Sequence, residues 1–391
     1  MPAGYFWAEK VFMKRIIIIS LLACITAGGY AATPPVKADT SKRPFLIGIF
    51  WGPPAALSTN AQYQAIKAAH VDYIQFTEDA LHPGVDARKR NREILELAGR
   101  NGLAYYPADP LVNGSEADIA RMVNTYKNNP ATGGYYIKDE PGPGALDKYA
   151  AIYRQVVRLD PARVPFVNLL PDFAVKDYEK GYVEKWVEKV GKEHLQYLSF
   201  DNYPFRWDGS FGETYFNNLD IFRRAGLKYD VKTSCYLQSM GITGAYRRPG
   251  ANELRYSVYS ALAYGIKNMV WFTYCTPTGQ PVEKFMSAVI DSNGNKTDLY
   301  EPFKKVNGEA HQLGKTLIGL DAVEVYHTQP QGPGQAALPA GFFFQPEQRN
   351  ADLIITHFLS RVDKKTFVMV VNKSLTSRQQ LVFDIHRPVK K

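Results

Sequence analysis

The sequence predicts an α/β fold, a (β/α)8 TIM barrel followed by a small C-terminal antiparallel β domain, and three observations carry that prediction. Short apolar runs of strand length alternate eight times with stretches of helical period between residues 44 and 320. The acids and aromatics that break the apolar pattern fall where these strands end, which is where a barrel exposes its reactive groups. The turn after the first strand reads Trp51-Gly52-Pro53-Pro54, with no Gly-rich phosphate loop, and this removes the doubly wound alternative.

The strands are read at 45–50, 71–77, 103–106, 133–140, 164–170, 197–201, 231–238 and 268–274. The helices between and after them are read at 62–69, 87–100, 116–127, 146–158, 183–193, 214–224, 252–264 and 301–317. Past residue 320 the period changes. Segments 322–326, 341–344, 353–359, 366–371 and 380–385 alternate or run apolar between turns. Residues 321–391 therefore read as a small β-sandwich-like domain, too small for a strong core of its own and expected to dock on the barrel.

The N-terminus is read as an export signal over residues 1–32, with a natural start at Met13 and an upstream extension before it. Met13-Lys14-Arg15 supplies the basic start, and residues 16–23 an apolar run too short to span a bilayer. Leu21-Leu22-Ala23-Cys24 has the form of a lipobox, so the chain is expected in the periplasm or at the outer membrane as a lipoprotein anchored at Cys24. Soluble export with cleavage near Ala31 or Ala32 is the competing reading. Residues 33–43 are polar and Pro-bearing and read as a linker.

Composition narrows the partners. The formal net charge is +9, but the basic residues are scattered and form no stripe interleaved with aromatics, so no nucleic-acid partner is expected. Aromatics make up 13% of the chain, with 25 Tyr, which suits a carbohydrate partner through stacking on pyranose C–H faces and equally suits a Tyr-rich core. Beyond the signal only Cys235 and Cys275 remain; buried free thiols are expected, with a single bridge the alternative. The seven His never pair at i, i+4 and no CxxC occurs, so neither a metal nor a cofactor is expected.

The segment Gly133-Gly134-Tyr135-Tyr136-Ile137-Lys138-Asp139-Glu140-Pro141-Gly142 is a buried strand that stops at two adjacent acids and a turn. Two neighbouring carboxylates repel, and they make chemical sense where one must hand a proton to a bound substrate. Strand six ends likewise at Asp201, within Ser199-Phe200-Asp201-Asn202-Tyr203-Pro204. Strict alternation puts Tyr136, Lys138 and Glu140 on one face and Asp139 on the other, unless the strand end twists. Glycoside hydrolysis typically needs two carboxyl groups flanking the scissile bond. Glu140 is taken as the general acid and Asp201 as base or nucleophile, with Asp139 bonding a sugar hydroxyl or orienting a neighbour. Glu78, Asp79 and Asp109 are lesser candidates at other strand ends. Trp51 and Trp271, closing adjacent strands, are candidates for a stacking platform. Tyr203, Tyr274, Gln238 and Asn168 are candidate hydrogen-bonding groups for the sugar.

At these residues the chain resembles the barrel glycoside hydrolases of clan A, the group of the family 42 β-galactosidases and the agarases, over roughly residues 44–318. In that clan an acid/base Glu ends strand four, usually as Asn-Glu and often before Pro; here the place holds Asp139-Glu140-Pro141. Asn168-Leu169-Leu170-Pro171, the Ser199 to Pro204 stretch, and Ala261-Leu262-Ala263-Tyr264-Gly265 with Trp271-Phe272-Thr273-Tyr274 also resemble an uncharacterised group of secreted bacterial barrel proteins. The resemblance implies a glycosidase with a carbohydrate substrate. It also implies a nucleophilic Glu at the end of strand seven, where this chain has Gln238. The rival expectation is therefore a non-catalytic carbohydrate-binding lipoprotein on a barrel scaffold. Strands four and six are separated by one strand, so the Glu140 and Asp201 carboxyls are expected at the wider, inverting separation of about 6.5–9.5 Å.

Overall fold

The computed structural model describes residues 43–278 and 282–386; the expectations for the export signal, Cys24 and all but the last residue of the linker lie outside the described residues. Eight parallel strands, β1 (Leu46–Gly52), β2 (Tyr73–Thr77), β3 (Ala104–Tyr106), β4 (Gly134–Asp139), β5 (Val164–Leu169), β6 (Leu198–Asp201), β7 (Thr233–Gln238) and β8 (Asn268–Phe272), form one sheet. Their order is β3-β2-β1-β8-β7-β6-β5-β4. The seam between its two ends is joined by Tyr105 N–H to Ala131 O at 2.8 Å, Gly133 N–H to Tyr105 O at 3.0 Å and Tyr136 N–H to Pro107 O at 3.1 Å, so the sheet closes into a barrel. Helices α1 (Asn60–Ala68), α2 (Ala87–Arg100), α3 (Glu116–Tyr126), α4 (Leu146–Leu159), α5 (Lys185–Val190), α6 (Tyr215–Tyr229), α7 (Ala251–Ala263) and α8 (Tyr300–Leu317) alternate with the strands. Their starts follow from local chemistry: Thr59 caps α1, Asp86 caps α2, and Ser115 with Asp118 forms a capping box on α3.

The barrel interior is filled, and aromatic residues fill it. Tyr73 and Tyr106 stack at 4.6 Å across the N-terminal end. The Tyr73 hydroxyl and Asn268 share a hydrogen bond, and Asn268 also donates to Ser234 Oγ at 2.8 Å. Above this floor Phe50 meets Tyr136, Tyr236 and Phe272 at centroid distances of 5.5–5.9 Å. The rings fit because β1 carries a glycine: a Cβ on Gly48 would lie 2.3 Å from the Tyr73 ring. The lower lumen is thus a packed core, and only its C-terminal mouth is left for chemistry.

The C-terminal region adds β9 (Leu320–His327), β10 (Ala336–Ala337), β11 (Phe344–Pro346), β12 (Leu353–Ser360), β13 (Thr366–Asn372) and β14 (Phe383–Ile385). β9, β12 and β13 pair antiparallel, as do β11 and β14, while the two-residue β10 runs parallel to β9. This sheet docks on the barrel helices through Thr356 Oγ1 to Ala263 O at 2.9 Å and Tyr264 Oη to His327 Nε2 at 2.8 Å. Buried Lys267 spans the junction, donating to Leu317 O and Leu320 O; burial pushes its ammonium down to about 7. Cys235 and Cys275 are both buried free thiols.

Gly48→Ala forces a methyl into the Tyr73 ring, and overpacking of this kind costs about 1–3 kcal/mol. A denaturant melt of that variant should show the loss, with no change in ligand binding at the mouth, since the floor lies at the other end of the lumen.

Candidate active site

Three carboxyl groups converge at the mouth because β4 breaks its own alternation. The ladder to β5 pairs Tyr136 with Phe166, Lys138 with Val167 and Asp139 with Asn168, leaving Ile137 as a bulge. One extra residue inverts the parity of everything after it. Asp139, expected on the face opposite Tyr136, therefore joins Tyr136 in the lumen. Glu140 follows in the left-handed region, at φ 47°, a conformation that a non-glycine residue holds only when its surroundings enforce it. Here its N–H is tied to Asn168 O at 2.9 Å, and the next carbonyl, Pro141 O, accepts from the Tyr182 hydroxyl at 2.6 Å.

Asn168, on β5, is the link between β4 and β6. Its Nδ2 donates to Asp139 Oδ1 at 3.2 Å and to Asp201 Oδ1 at 2.9 Å, while its Oδ1 accepts from Ser199 Oγ at 3.1 Å. The Glu140 carboxyl lies within hydrogen-bond reach of Asp201. The expected wide separation of Glu140 and Asp201 is thus corrected: Glu140 turns back over the strand end and the two groups touch.

Crowding and loss of water raise all three acids. Asp139 is pushed up to about 6 by burial, which outweighs the Asn168 hydrogen bond and the Lys138 ammonium. Asp201 is pushed up to about 7, by burial first and by the Asp139 charge second. Glu140 is exposed on the rim as a residue, yet its carboxyl is raised furthest, by loss of water and then by Asp201 and Asp139. Carboxyls in contact cannot all ionise, so at neutral pH the Glu140–Asp201 pair holds a shared proton. Asp139 and Asp201 remain partly exposed, so the cluster opens to solvent.

The facing wall is aromatic. Tyr203 stacks on Phe272 at 5.5 Å, and Phe76 packs on Tyr136 at 4.4 Å. Trp51, half-buried at φ 56°, touches Phe50 at 5.2 Å and Phe272 at 5.6 Å. Trp51 and Tyr203 thus lie in the mouth, while three other expected sugar contacts do not. Trp271 points outward: its Nε1 donates to Asn307 Oδ1 on α8 at 2.8 Å and its ring packs on Phe303. Alternation along β8 puts its neighbour Phe272 in the lumen instead. Tyr274 is fully buried beside Phe303, on the same outer layer. Gln238 closes β7 but is fully buried and committed to backbone: Oε1 accepts from Phe205 N–H at 3.0 Å, and Nε2 donates to Arg247 O at 2.9 Å and Phe205 O at 3.3 Å. It fastens the loops after β6 and β7.

Two of the lesser candidates, Asp79 and Asp109, serve the frame. Asp79 accepts from Ala55 N–H at 2.8 Å and pairs with Arg90; buried Asp109 accepts from the Tyr126 hydroxyl at 2.8 Å. Glu78 lies near Cys275, whose thiol is raised by burial first and by the Glu78 charge second. Sequence reasoning passed over Phe272, and also Glu283, a half-buried acid on the β8–α8 loop whose carboxyl is raised by burial. Glu283 lies two residues before Phe285, which pairs with Ile242 in a short ribbon and packs 6.4 Å from Trp51. Among the described residues no group of three or more His, Cys, Asp or Glu side chains is disposed to hold a metal ion.

Several solved structures of glycosidases share this barrel fold. The chain matches a β-galactosidase from the psychrophilic Marinomonas ef1 with a TM-score of 0.53 at 13% identity, over 70% of this chain and 62% of that one. It matches a family 42 β-galactosidase from G. stearothermophilus with a TM-score of 0.51 at 14% identity, over 71% and 57%. An exo-β-1,4-mannosidase from Opitutaceae bacterium strain TAV5 matches with a TM-score of 0.50 at 12% identity, over 69% and 60%. The structural neighbours are clan A glycoside hydrolases, and the shared feature is the barrel. The chain spans about three-fifths of the length of these structures. No protein-family model matches the chain, and no curated protein sequence does.

Two outcomes follow. Gln238→Glu does not restore a nucleophile; it sets a carboxylate against the Phe205 and Arg247 carbonyls and should destabilise the fold by about 3 kcal/mol or more in a denaturant melt. The raised acids also set the sign of the pH dependence. Asp139 and Asp201 bind their protons more tightly folded than unfolded, so their contribution is complete below about pH 4 and is lost as pH rises through about 6 and 7. Melting curves of the wild type should fall over that window, and Asp201→Asn should flatten the fall.

Proposed function

We propose that this protein is an O-glycosyl hydrolase acting on a poly- or oligosaccharide, with Glu140 as the general acid. One observation carries the reading: at the barrel mouth, open to solvent, the Glu140 carboxyl reaches Asp201, Asn168 ties Asp201 to Asp139, and burial raises all three acids. A carboxyl kept protonated near neutral pH beside one that ionises is the arrangement acid/base catalysis on a glycosidic oxygen needs. Trp51, Phe272 and Tyr203 offer ring faces and edges to the apolar side of a sugar. The clan A barrel of the structural neighbours supports a carbohydrate substrate, and the export signal read at the N-terminus would put the reaction outside the cytoplasm. A second reading, a carbohydrate-binding protein without turnover, is favoured by Gln238, which closes strand seven with an amide already saturated by backbone.

A glycan panel with released reducing ends as the readout separates the two. Glu140→Gln should lower kcat/KM on natural glycans by about 10²–10⁴-fold, because an amide cannot protonate the leaving oxygen. The same variant should keep most of its rate on dinitrophenyl glycosides, whose leaving group needs no proton. Equal loss on both substrate types removes Glu140 from the acid role. Glycan binding without Glu140-dependent cleavage establishes the binding reading.

A further inference from the structure

Three loops meet around one arginine at the rim of the mouth. Arg206, on the β6–α6 loop, lies between two rings. Its guanidinium carbon is 5.2 Å from the centre of Phe173, on the β5–α5 loop, and 5.0 Å from that of Tyr246, on the β7–α7 loop. Tyr246 packs edge-on against Tyr203 at 5.5 Å, and Tyr203 stacks on Phe272 in the lumen. Burial raises the Tyr246 hydroxyl first; the Arg206 charge opposes that rise, and the Asp201 and Glu140 charges add to it. The acids and the guanidinium are thus within electrostatic reach of one ring, and Tyr203 and Tyr246 bridge the mouth to Arg206.

The charge on Arg206 has no internal partner. The other arginines of these loops are paired, Arg247 with Glu253 and Arg248 with Asp298. Among the described residues no carboxylate forms an ion pair with Arg206, and its guanidinium donates no hydrogen bond to a carbonyl or carboxylate. The acids near it in sequence are engaged elsewhere. Asp208 accepts from Ser210 N–H at 2.9 Å and Ser210 Oγ at 2.6 Å, and these bonds lower its carboxyl more than the Arg206 charge does. Asp172, beside Phe173, accepts from Asn217 Nδ2 at 2.7 Å. The backbone that carries Arg206 is fixed: its N–H donates to Ser210 O at 3.1 Å, Trp207 N–H donates to Ala245 O at 3.1 Å, and Gln238 holds Phe205. Arg206 is half-buried and Phe173 is 48% exposed, so the stack reaches solvent. A half-buried guanidinium without a counter-charge is costly, and a bound anion would offset that cost.

We infer that the mouth takes a sugar bearing a negative charge, a carboxylate or a sulfate, and that Arg206 binds its anionic oxygens while the sugar lies along Tyr203 and Tyr246. This names the substrate class of the hydrolase reading and rests on that reading for the place of the sugar. A guanidinium stacked on rings presents its N–H donors in one plane, the arrangement that grips two oxygens of one anionic group. An anionic sugar set against the carboxyls of β4 and β6 meets repulsion, and Arg206 offsets it from the other side of Tyr246. The formal net charge of +9 favours the approach of such a polyanion. The competing role for Arg206 is to clasp the three loops through its rings, and the two roles separate in a measurement of charge preference.

The test assays polyuronates beside the same polymers with their carboxylates reduced to primary alcohols, which removes the charge and keeps the linkages. Sulfated galactans beside their desulfated forms make the second pair. Released reducing ends report cleavage, and calorimetry on Glu140→Gln reports binding without turnover. The wild type should favour the charged member of one pair by about 10–10²-fold in kcat/KM, the size of a charge-assisted hydrogen-bonded contact. The pair that shows the preference identifies the anion as carboxylate or sulfate. Arg206→Gln should bring that ratio close to one. Arg206→Lys should leave it in between, because an ammonium keeps the charge and loses the planar fork. A clasp predicts instead that charged and neutral substrates lose rate together with the ratio unchanged, and that outcome overturns the inference. Wild-type, Glu140-dependent cleavage of neutral glycans with no preference for a charged form also overturns it, needs no Arg206 variant, and leaves the hydrolase reading standing. Arg206-dependent binding of a charged glycan, with no Glu140-dependent cleavage of any glycan, keeps the anion site and sinks the hydrolase reading.

Discussion

The amide of Asn168 is the contact on which the site depends. Two aspartates on β4 and β6 face one lumen at the same height, and nothing about a barrel makes that favourable. One amide nitrogen serves both, because its own oxygen is fixed by the Ser199 hydroxyl and the nitrogen is thereby aimed at the acids. The hydrogen bonds lower both carboxyls, yet burial, and for Asp201 the Asp139 charge as well, still leave them raised. That residual rise keeps a proton in the cluster at neutral pH. With Asn168 replaced by an apolar residue, the same two acids would be more fully protonated and free to turn, and Glu140 would lose its fixed neighbour.

The frame around this contact is rigid where it holds the acids and bent where the strands end. Glu140 at φ 47°, Trp51 at φ 56° and Phe76 at φ 23° all sit at the mouth. Such conformations persist only when the surroundings over-determine them. The surroundings here are the Tyr182–Pro141 hydrogen bond, the Gln238 fastening of the β6 and β7 loops, and the aromatic stack that fills the lumen below. Buried Lys267 fixes the C-terminal sheet to the far end of the barrel, away from the acids.

The fold was legible because its signal is periodic and long. Apolar runs and helical stretches repeated often enough that errors of a residue or two at each boundary did not change the architecture. Glu140, Asp139 and Asp201 were legible for a different reason: a charged residue at the end of an apolar strand is costly, so its presence marks a cleft. What the sequence hid were single-residue shifts of parity. The bulge at Ile137 moved Asp139 into the lumen, and no residue type in Tyr136-Ile137-Lys138 announces a bulge. On β8 the choice between Trp271 and Phe272 was one of parity too, and the larger ring looked more like a platform. The barrel used it to pack α8. Gln238 was read by its place on the strand, whereas its partners, the Phe205 and Arg247 backbones, lie on loops whose course no pattern foretells.

A barrel shared with β-galactosidases and a mannosidase at 12–14% identity carries an architecture and leaves the chemistry to the mouth. In this mouth the division is between an acidic arc, β4 to β6, and an aromatic arc, β8 to β2. A low-dielectric wall opposite the acids strengthens their mutual repulsion and keeps a proton on Glu140. The other acids at that end, Glu78 directly after β2 and Glu283 on the β8–α8 loop, stand on the aromatic arc, so the division holds for the strands and not for the loops that follow them.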